Sequence, residues 1–299
     1  MKRLVYPLLG ILLLAAPGFP FSGQEVFDVW QDQYIVRGTN DTLLDVPYVA
    51  TEYRIIDEMF KLLEIRSGDV LYDLGCGDGR IVIEAVKKPG IRGVGIDIDP
   101  RRIAESKANA IAAKVSDRVV FLQKDLFETD IREATAVTLF LFTEINLKLR
   151  PKLFQELKPG TRIVSHNFDM RSWKPDKEVN LGLSIDGFHN LYFWILPANA
   201  SGLWQGRHNG EPWTLLINQR FQKIEGSLII NGKTVLPLSD TAITGDAIRF
   251  IARNQEQNRS IAFTGKVKGN VMEGVFSETD ATGGPWKATR DPATISWIE

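Results

Sequence analysis

The most chemically loaded stretch of the chain is DLGCGDGR, residues 73–80, in which three alternating glycines follow an acid. Two further acids, Asp97 and Asp125, close short apolar runs downstream. A glycine-rich turn after an apolar strand can hold a nucleoside triphosphate, a dinucleotide's pyrophosphate, or a ligand carrying no phosphate. The triphosphate is excluded: the loop lacks Gly-Lys-Ser/Thr, and three carboxylates at one crevice edge repel it. The dinucleotide is nearer, because Asp97 stands about twenty residues on, where an acid takes a ribose hydroxyl. Yet the spacing is G-x-G-x-G, and Asp73 precedes the first glycine by two residues. An acid there is misplaced for pyrophosphate and suits a cationic amino group, while Gly75, Gly77 and Gly79 let the backbone approach a bulky ligand. Cys76, the single cysteine, allows no intrachain disulfide. With no His near it in sequence, it reads as a small side chain in a tight turn rather than a nucleophile.

These residues need a scaffold that gathers strand ends. Ile55, Ile56, Met59, Leu62 and Leu63 recur at helical spacing, predicting a helix capped by Thr51. Buried strands are expected over 70–72, 93–96, 119–123, 136–142, 161–166 and 190–196. Helices are expected over 80–88 and 147–157, with another capped by Asp99 and carrying Pro100 at its first position. This alternation predicts an α/β fold: a Rossmann-like, doubly wound, mostly parallel sheet, with ligands outside the carboxyl ends of its strands. After Pro197 the texture changes to short alternating runs separated by Asn-Gly, Gly-Asp, Gly-Asn and Gly-Gly. The expected organisation is a signal-like segment 1–23, a cofactor domain 24–199 and an all-β domain 200–299, the last an antiparallel barrel or compact sandwich.

DLGCGDGR, then GVGIDIDP, then FLQKDLF resemble the successive motifs of class I S-adenosylmethionine-dependent methyltransferases over residues 45–197. The resemblance implies S-adenosyl-L-methionine as cofactor. Gly75, Gly77 and Gly79 would line its amino-acid tail, with Asp73 near the ammonium. Asp97 would take both ribose hydroxyls, Ile98 would pack on the adenine, and Asp125 would accept from the adenine amino group. More narrowly, PYVATEYRIIDEMF with DLGCGDGRIVIEA is similar to lysine methyltransferases that modify the c-subunit of ATP synthase, and to their bacterial relatives. More distantly it is similar to the disruptor-of-telomeric-silencing type of histone methyltransferase. In those families the segment matching Tyr48–Thr51 closes over the methionyl end of the cofactor. The chain departs from the histone enzymes at TLFLFTEIN, where they carry polar Asn residues, so their substrate contacts are not carried over.

A lysine acceptor must arrive neutral, which an apolar channel favours. Phe140, Phe142 and Tyr48 are candidates for its walls. Glu144 and His166 are the nearby general-base candidates, and His166 reads first as a hydrogen-bonded crevice residue. On this reading the substrate is a protein, and residues 25–199 suffice for methyl transfer. Two alternatives stay open: a small-molecule acceptor, and an exported adenosylmethionine-fold binding protein without turnover.

The formal net charge of −1 gives no general attraction for nucleic acid, and no metal site is expected. Lys2 and Arg3 precede an apolar run, Leu4 to Ala16, that is short for a bilayer span and followed by prolines. It predicts an exported or membrane-associated protein, with envelope attachment through the N-terminus. A mis-set start codon would instead leave the chain in the cytoplasm. In the last hundred residues, Trp204 and Arg290 resemble the pair that plugs lipocalin-type barrels, and Trp213, Phe263 and Trp286 read as barrel core.

Overall fold

The computed structural model describes residues 48–184, 187–208, 210–254, 259–278 and 281–299. The signal-like run of residues 4–16 lies outside the described residues. Residues 49–299 form one compact unit.

Helix α1 (Tyr53–Leu63) buries Ile55, Ile56, Met59, Leu62 and Leu63, the face that the periodicity marked. Its cap differs from expectation. Glu52 holds the cap position without a side-chain cap bond, and its carbonyl takes the Ile55 and Ile56 N–H groups. Thr51 is instead buried, and its carbonyl accepts from Arg80 Nη1 at 3.2 Å.

Strands β1 (Val70–Leu74), β2 (Arg92–Asp97), β3 (Val119–Gln123), β4 (Ala136–Leu139) and β5 (Arg162–His166) run parallel. Between them lie α2 (Arg80–Lys87), α3 (Pro100–Ala112) and α4 (Thr143–Glu156). The hairpin β6 (Lys177–Ser184) and β7 (Gly187–Ile195) completes the sheet, in the order β3-β2-β1-β4-β5-β7-β6, with β7 antiparallel to β5. A dinucleotide-binding sheet would continue with a sixth parallel strand at this edge. β6 was not foreseen: Gly182 interrupts its alternation, and only pairing along β7 makes it a strand. Helix α4 starts four residues before its apolar period, because the Phe142 carbonyl already accepts from Ile145 and Asn146. At the amino end of the sheet, Arg162 forms a buried ion pair with Asp69 and donates to the Leu63 and Glu64 carbonyls, pinning α1 to β5.

The remaining strands are β8 (Gly202–His208), β9 (Glu211–Arg220), β10 (Lys223–Ile230), β11 (Thr234–Thr244), β12 (Ala247–Asn254), β13 (Arg259–Lys268), β14 (Val271–Glu278) and β15 (Ala281–Arg290). They close into one barrel, because β15 pairs with β8. The barrel, not the sandwich, is therefore the form adopted. Trp213, Phe263 and Trp286 are buried in its interior, with ring centroids 5.4–6.3 Å apart. Arg290 covers the Trp204 ring at 4.7 Å and donates to the carbonyls of Asn199, Ser201 and Gly269.

No slack linker joins the two sheets. Phe221 lies nearly parallel to Trp173 (centroids 6.1 Å) and beside Phe154 of α4 (5.9 Å). Arg150 of α4 pairs with Glu299 at 2.7 Å, and Ala198 N–H donates to Gly245 O.

Candidate active site

Strand order reverses at β1, with β2 on one side and β4 on the other. The loop after β1 therefore sits at the switch point, where open α/β sheets bind ligands. Gly75, Gly77 and Gly79 all take positive φ (87°, 52° and 78°). A Cβ on Gly75 would meet Leu141 at 2.8 Å, and one on Gly79 would meet Phe121 at 2.6 Å, so the turn tolerates no side chain at either position. Gly75 and Cys76 N–H donate to Ile96 O, folding the loop onto the end of β2.

The carboxylates take different stations. Asp73 lies inside β1 rather than past its end, is buried, and accepts from Thr138 Oγ1 at 2.6 Å. Burial first, then Asp97 and Asp78, raise its pKa to about 7, while the Thr138 bond opposes the rise. Asp97 at the end of β2 accepts Gly77 N–H at 2.8 Å on one oxygen and Asp99 N–H at 2.9 Å on the other. It thus ties the glycine turn to the cap of α3, and its pKa is raised, mainly by burial. Asp125 lies two residues beyond β3, half-buried, and accepts Phe127 N–H at 2.8 Å. Ile98, 53% exposed next to Asp97, presents an apolar face at the same edge. The Cys76 thiol is buried and its pKa is pushed up by that burial and by Asp73 and Asp97, so it stays a neutral, inert packing group.

Two residues of the loop escaped the sequence reading. Asp78 forms a bidentate pair with Arg80, accepting from Nε on Oδ1 at 3.0 Å and from Nη2 on Oδ2 at 2.7 Å, and Arg80 reaches on to Thr51 O. This clamp brings the entry to α1 onto the glycine turn, so Thr51 does lie beside the loop, though not as a cap. Its signal in the sequence was a plain Asp-Gly-Arg, which carries no distance information. Tyr48 precedes this unit and is 40% exposed.

The carboxyl ends of β4 and β5 form a second cluster. Phe140 lies 4.1 Å from the His166 ring and 6.0 Å from Phe168, which meets Phe142 edge-on at 5.3 Å. His166 is 1% exposed, and its Nε2 lies 2.9 Å from His189 Nδ1. Burial, followed by His189, lowers its pKa to about 3, so at neutral pH it is an uncharged imidazole and not a solvent-facing base. Glu144 is exposed in the first turn of α4, where the helix dipole accommodates a carboxylate. His189 is the residue that sequence reasoning missed entirely: it lies on β7, 23 positions from its partner.

Three acids crowd the β1–β2 edge, and the Arg80 guanidinium is committed to Asp78. Carboxyl groups crowded at this edge suit a ligand with a cationic tail, whose ammonium favours their ionised form, and disfavour a pyrophosphate. The chain is a class I S-adenosylmethionine-dependent methyltransferase, and residues 73–177 match the family described as the ANTKMT methyltransferase domain. Over 152 residues it is 43% identical to a protein-lysine N-methyltransferase of Saccharolobus islandicus, covering 50% of this chain and 94% of that one. It belongs to that family. It is also 35% identical over 140 residues to the adenine nucleotide translocase lysine N-methyltransferase of Mus musculus, covering 46% of this chain and 60% of that protein. Against the ATP synthase c-subunit lysine N-methyltransferase of Homo sapiens the values are 32% over 138 residues, 46% and 58%. The chain thus spans under two thirds of these animal relatives. Among solved structures, a chain named as an RNA methyltransferase from Salinibacter ruber, in complex with S-adenosyl-L-homocysteine, is 50% identical. That match covers 49% of this chain and 93% of the other, with a TM-score of 0.46.

Proposed function

We propose that the chain transfers the methyl group of S-adenosylmethionine to a lysine amine on a protein. The observation that carries this is the edge of β4 and β5, where Phe140 packs on an uncharged His166 and Phe168 and Phe142 extend the aromatic cluster. A site of this kind penalises an ammonium and favours the neutral amine that can attack carbon. The printed activities of the archaeal and animal relatives support the same acceptor.

In this reading Gly75, Gly77 and Gly79 hold the cofactor's tail, with Asp73 opposite its ammonium. Asp97 takes the ribose hydroxyls, Ile98 faces the adenine and Asp125 its amino group. Tyr48 and Thr51 border the methionyl end. S-adenosylmethionine supplies a methyl group already activated by sulfonium. The protein's part is to align the amine and exclude water. The apolar run after Lys2-Arg3 would take the chain to the membrane or beyond it, which a reporter fused after residue 23 would show by leaving the soluble cytosolic fraction.

The test is incubation of the full chain with methyl-labelled cofactor and a cell extract, followed by mass-spectrometric mapping. Label on lysine Nε is the expected result. Label confined to RNA, or to small metabolites, would refute the acceptor.

A further inference from the structure

We propose that His166, His189 and Glu52 form a proton relay that receives the proton an acceptor amine must lose before methyl transfer; this rests on the amine acceptor proposed above. A lysine ammonium with a pKa near about 10.4 has no lone pair at neutral pH, so a proton acceptor must lie where the amine arrives.

The polarity of the line follows from its far end. Glu52 Oε2 is held by Arg54 Nε at 2.6 Å, and Oε1 lies 3.9 Å from His189 Nε2, a separation that a single water can span. A carboxylate on that side keeps the proton on His189 Nε2, so His189 Nδ1 carries a lone pair. Across 2.9 Å, His166 Nε2 must then be the N–H donor, which leaves the lone pair of His166 on Nδ1. That nitrogen is buried and has no hydrogen-bond partner among the described residues. Proteins seldom leave a buried polar atom unmatched, and this one lies at the end of β5 beside the Phe140 ring, where an acceptor amine would enter.

The transfer balances. The ammonium proton goes to His166 Nδ1, the Nε2 proton of His166 goes to His189 Nδ1, and the Nε2 proton of His189 goes through water to Glu52. One proton enters and one leaves, at a side chain 32% exposed to solvent. The freed nitrogen lone pair forms the N–C bond, and the electron pair of the broken C–S bond stays on sulfur. The charged groups facing His166 are His189, Glu52 and Arg54. A ring whose pKa is lowered to about 3 does not store the proton, so passage along the line is concerted. On this reading His166 touches the substrate, while His189 and Glu52 act through it as positioning residues.

Two measurements on the full chain test the relay. Nitrogen-15 NMR of the protein without acceptor should show His166 protonated on Nε2 and bare on Nδ1; a proton on Nδ1 overturns the proposal. Initial rates of methyl transfer to total cell-extract protein should fall about 100-fold at pH 7 in His189→Gln and in the partly exposed Glu52→Gln. Both deficits should shrink as pH approaches about 10, where lysine releases its own proton. A loss equal at every pH, or no loss in Glu52→Gln, overturns the relay. Wild-type protein that labels no lysine overturns the amine acceptor instead, so the two failures are distinguishable.

Discussion

At the carboxyl edge of the parallel sheet, Asp73 is buried with a pKa near 7, Asp97 is raised and His166 is lowered to about 3. In the barrel, among the described residues, only Arg290 is shifted, lowered by burial at the barrel's end. Gln219 satisfies its amide fully against Ala198, Ala200 and Phe221, and Arg290 is met by carbonyls on both sides. The buried polar atoms without partners among the described residues, on Asn146, His166 and Trp173, all precede the barrel. One region satisfies its buried groups and the other leaves groups strained, and such strain is retained where a ligand relieves it. The sheet edge is therefore the chemical part of the molecule, and the barrel is a packed support.

The largest test of that contrast is Trp286→Ala, which opens the barrel core and frees the Thr264 and Val275 carbonyls that the indole N–H serves. Denaturant unfolding should show a loss of about 3–5 kcal/mol, while adenosylhomocysteine affinity, by calorimetry below the transition, stays unchanged. An affinity that falls in step with stability would erase the distinction between the regions. Asp97→Ala should do the opposite. Calorimetry should show cofactor affinity weakened by about 1.5–3 kcal/mol, because the proposed ribose contact and the tie to Gly77 go together, with a smaller loss of stability. Unchanged affinity in a folded variant would remove Asp97 from the site.

The third test uses pH. Asp73 holds in the folded state a proton that the unfolded chain releases near 3.8, so its contribution to stability falls as pH rises from about 4 to about 7. His166 resists protonation when folded, so its contribution falls as pH drops from about 6.5 towards about 3. The two oppose each other with slopes of up to about 1.4 kcal/mol per pH unit. Asp73→Asn should remove the first slope and His166→Gln the second, while Trp286→Ala should leave both. Urea midpoints across pH 4–8 decide it. The smallest effect is Thr138→Val, which removes one hydrogen bond to Asp73. It should cost about 0.5–1.5 kcal/mol and move the Asp73 titration higher still, as carboxyl infrared or NMR titration would show.

These contrasts mark how far the sequence was legible. The face of α1, the glycine turn and Asp97 were readable because each signal is local: a 3.6-residue period, a need for positive φ, an acid closing an apolar run. The cap of α1 was misjudged at Thr51 because the choice between Thr51 and Glu52 depends on Arg80, 29 residues away, drawing the Thr51 carbonyl inward. The hairpin strand β6 escaped notice because its pairing with β7, not its own pattern, makes it a strand.

By itself, the sequence determined the doubly wound order, the all-β character after Pro197 and the class of ligand the β1–β2 edge accepts. Each follows from residue types at short range, where sterics and charge act without reference to the rest of the chain. Tertiary structure alone decided that β15 closes onto β8, since closure is a matter of register between strands some eighty residues apart. It also decided that His166 meets His189, because their contact exists only where β7 runs antiparallel along β5. A hydrogen bond needs atoms within about 3 Å, and no spacing in a linear chain specifies which distant side chains will be brought that close.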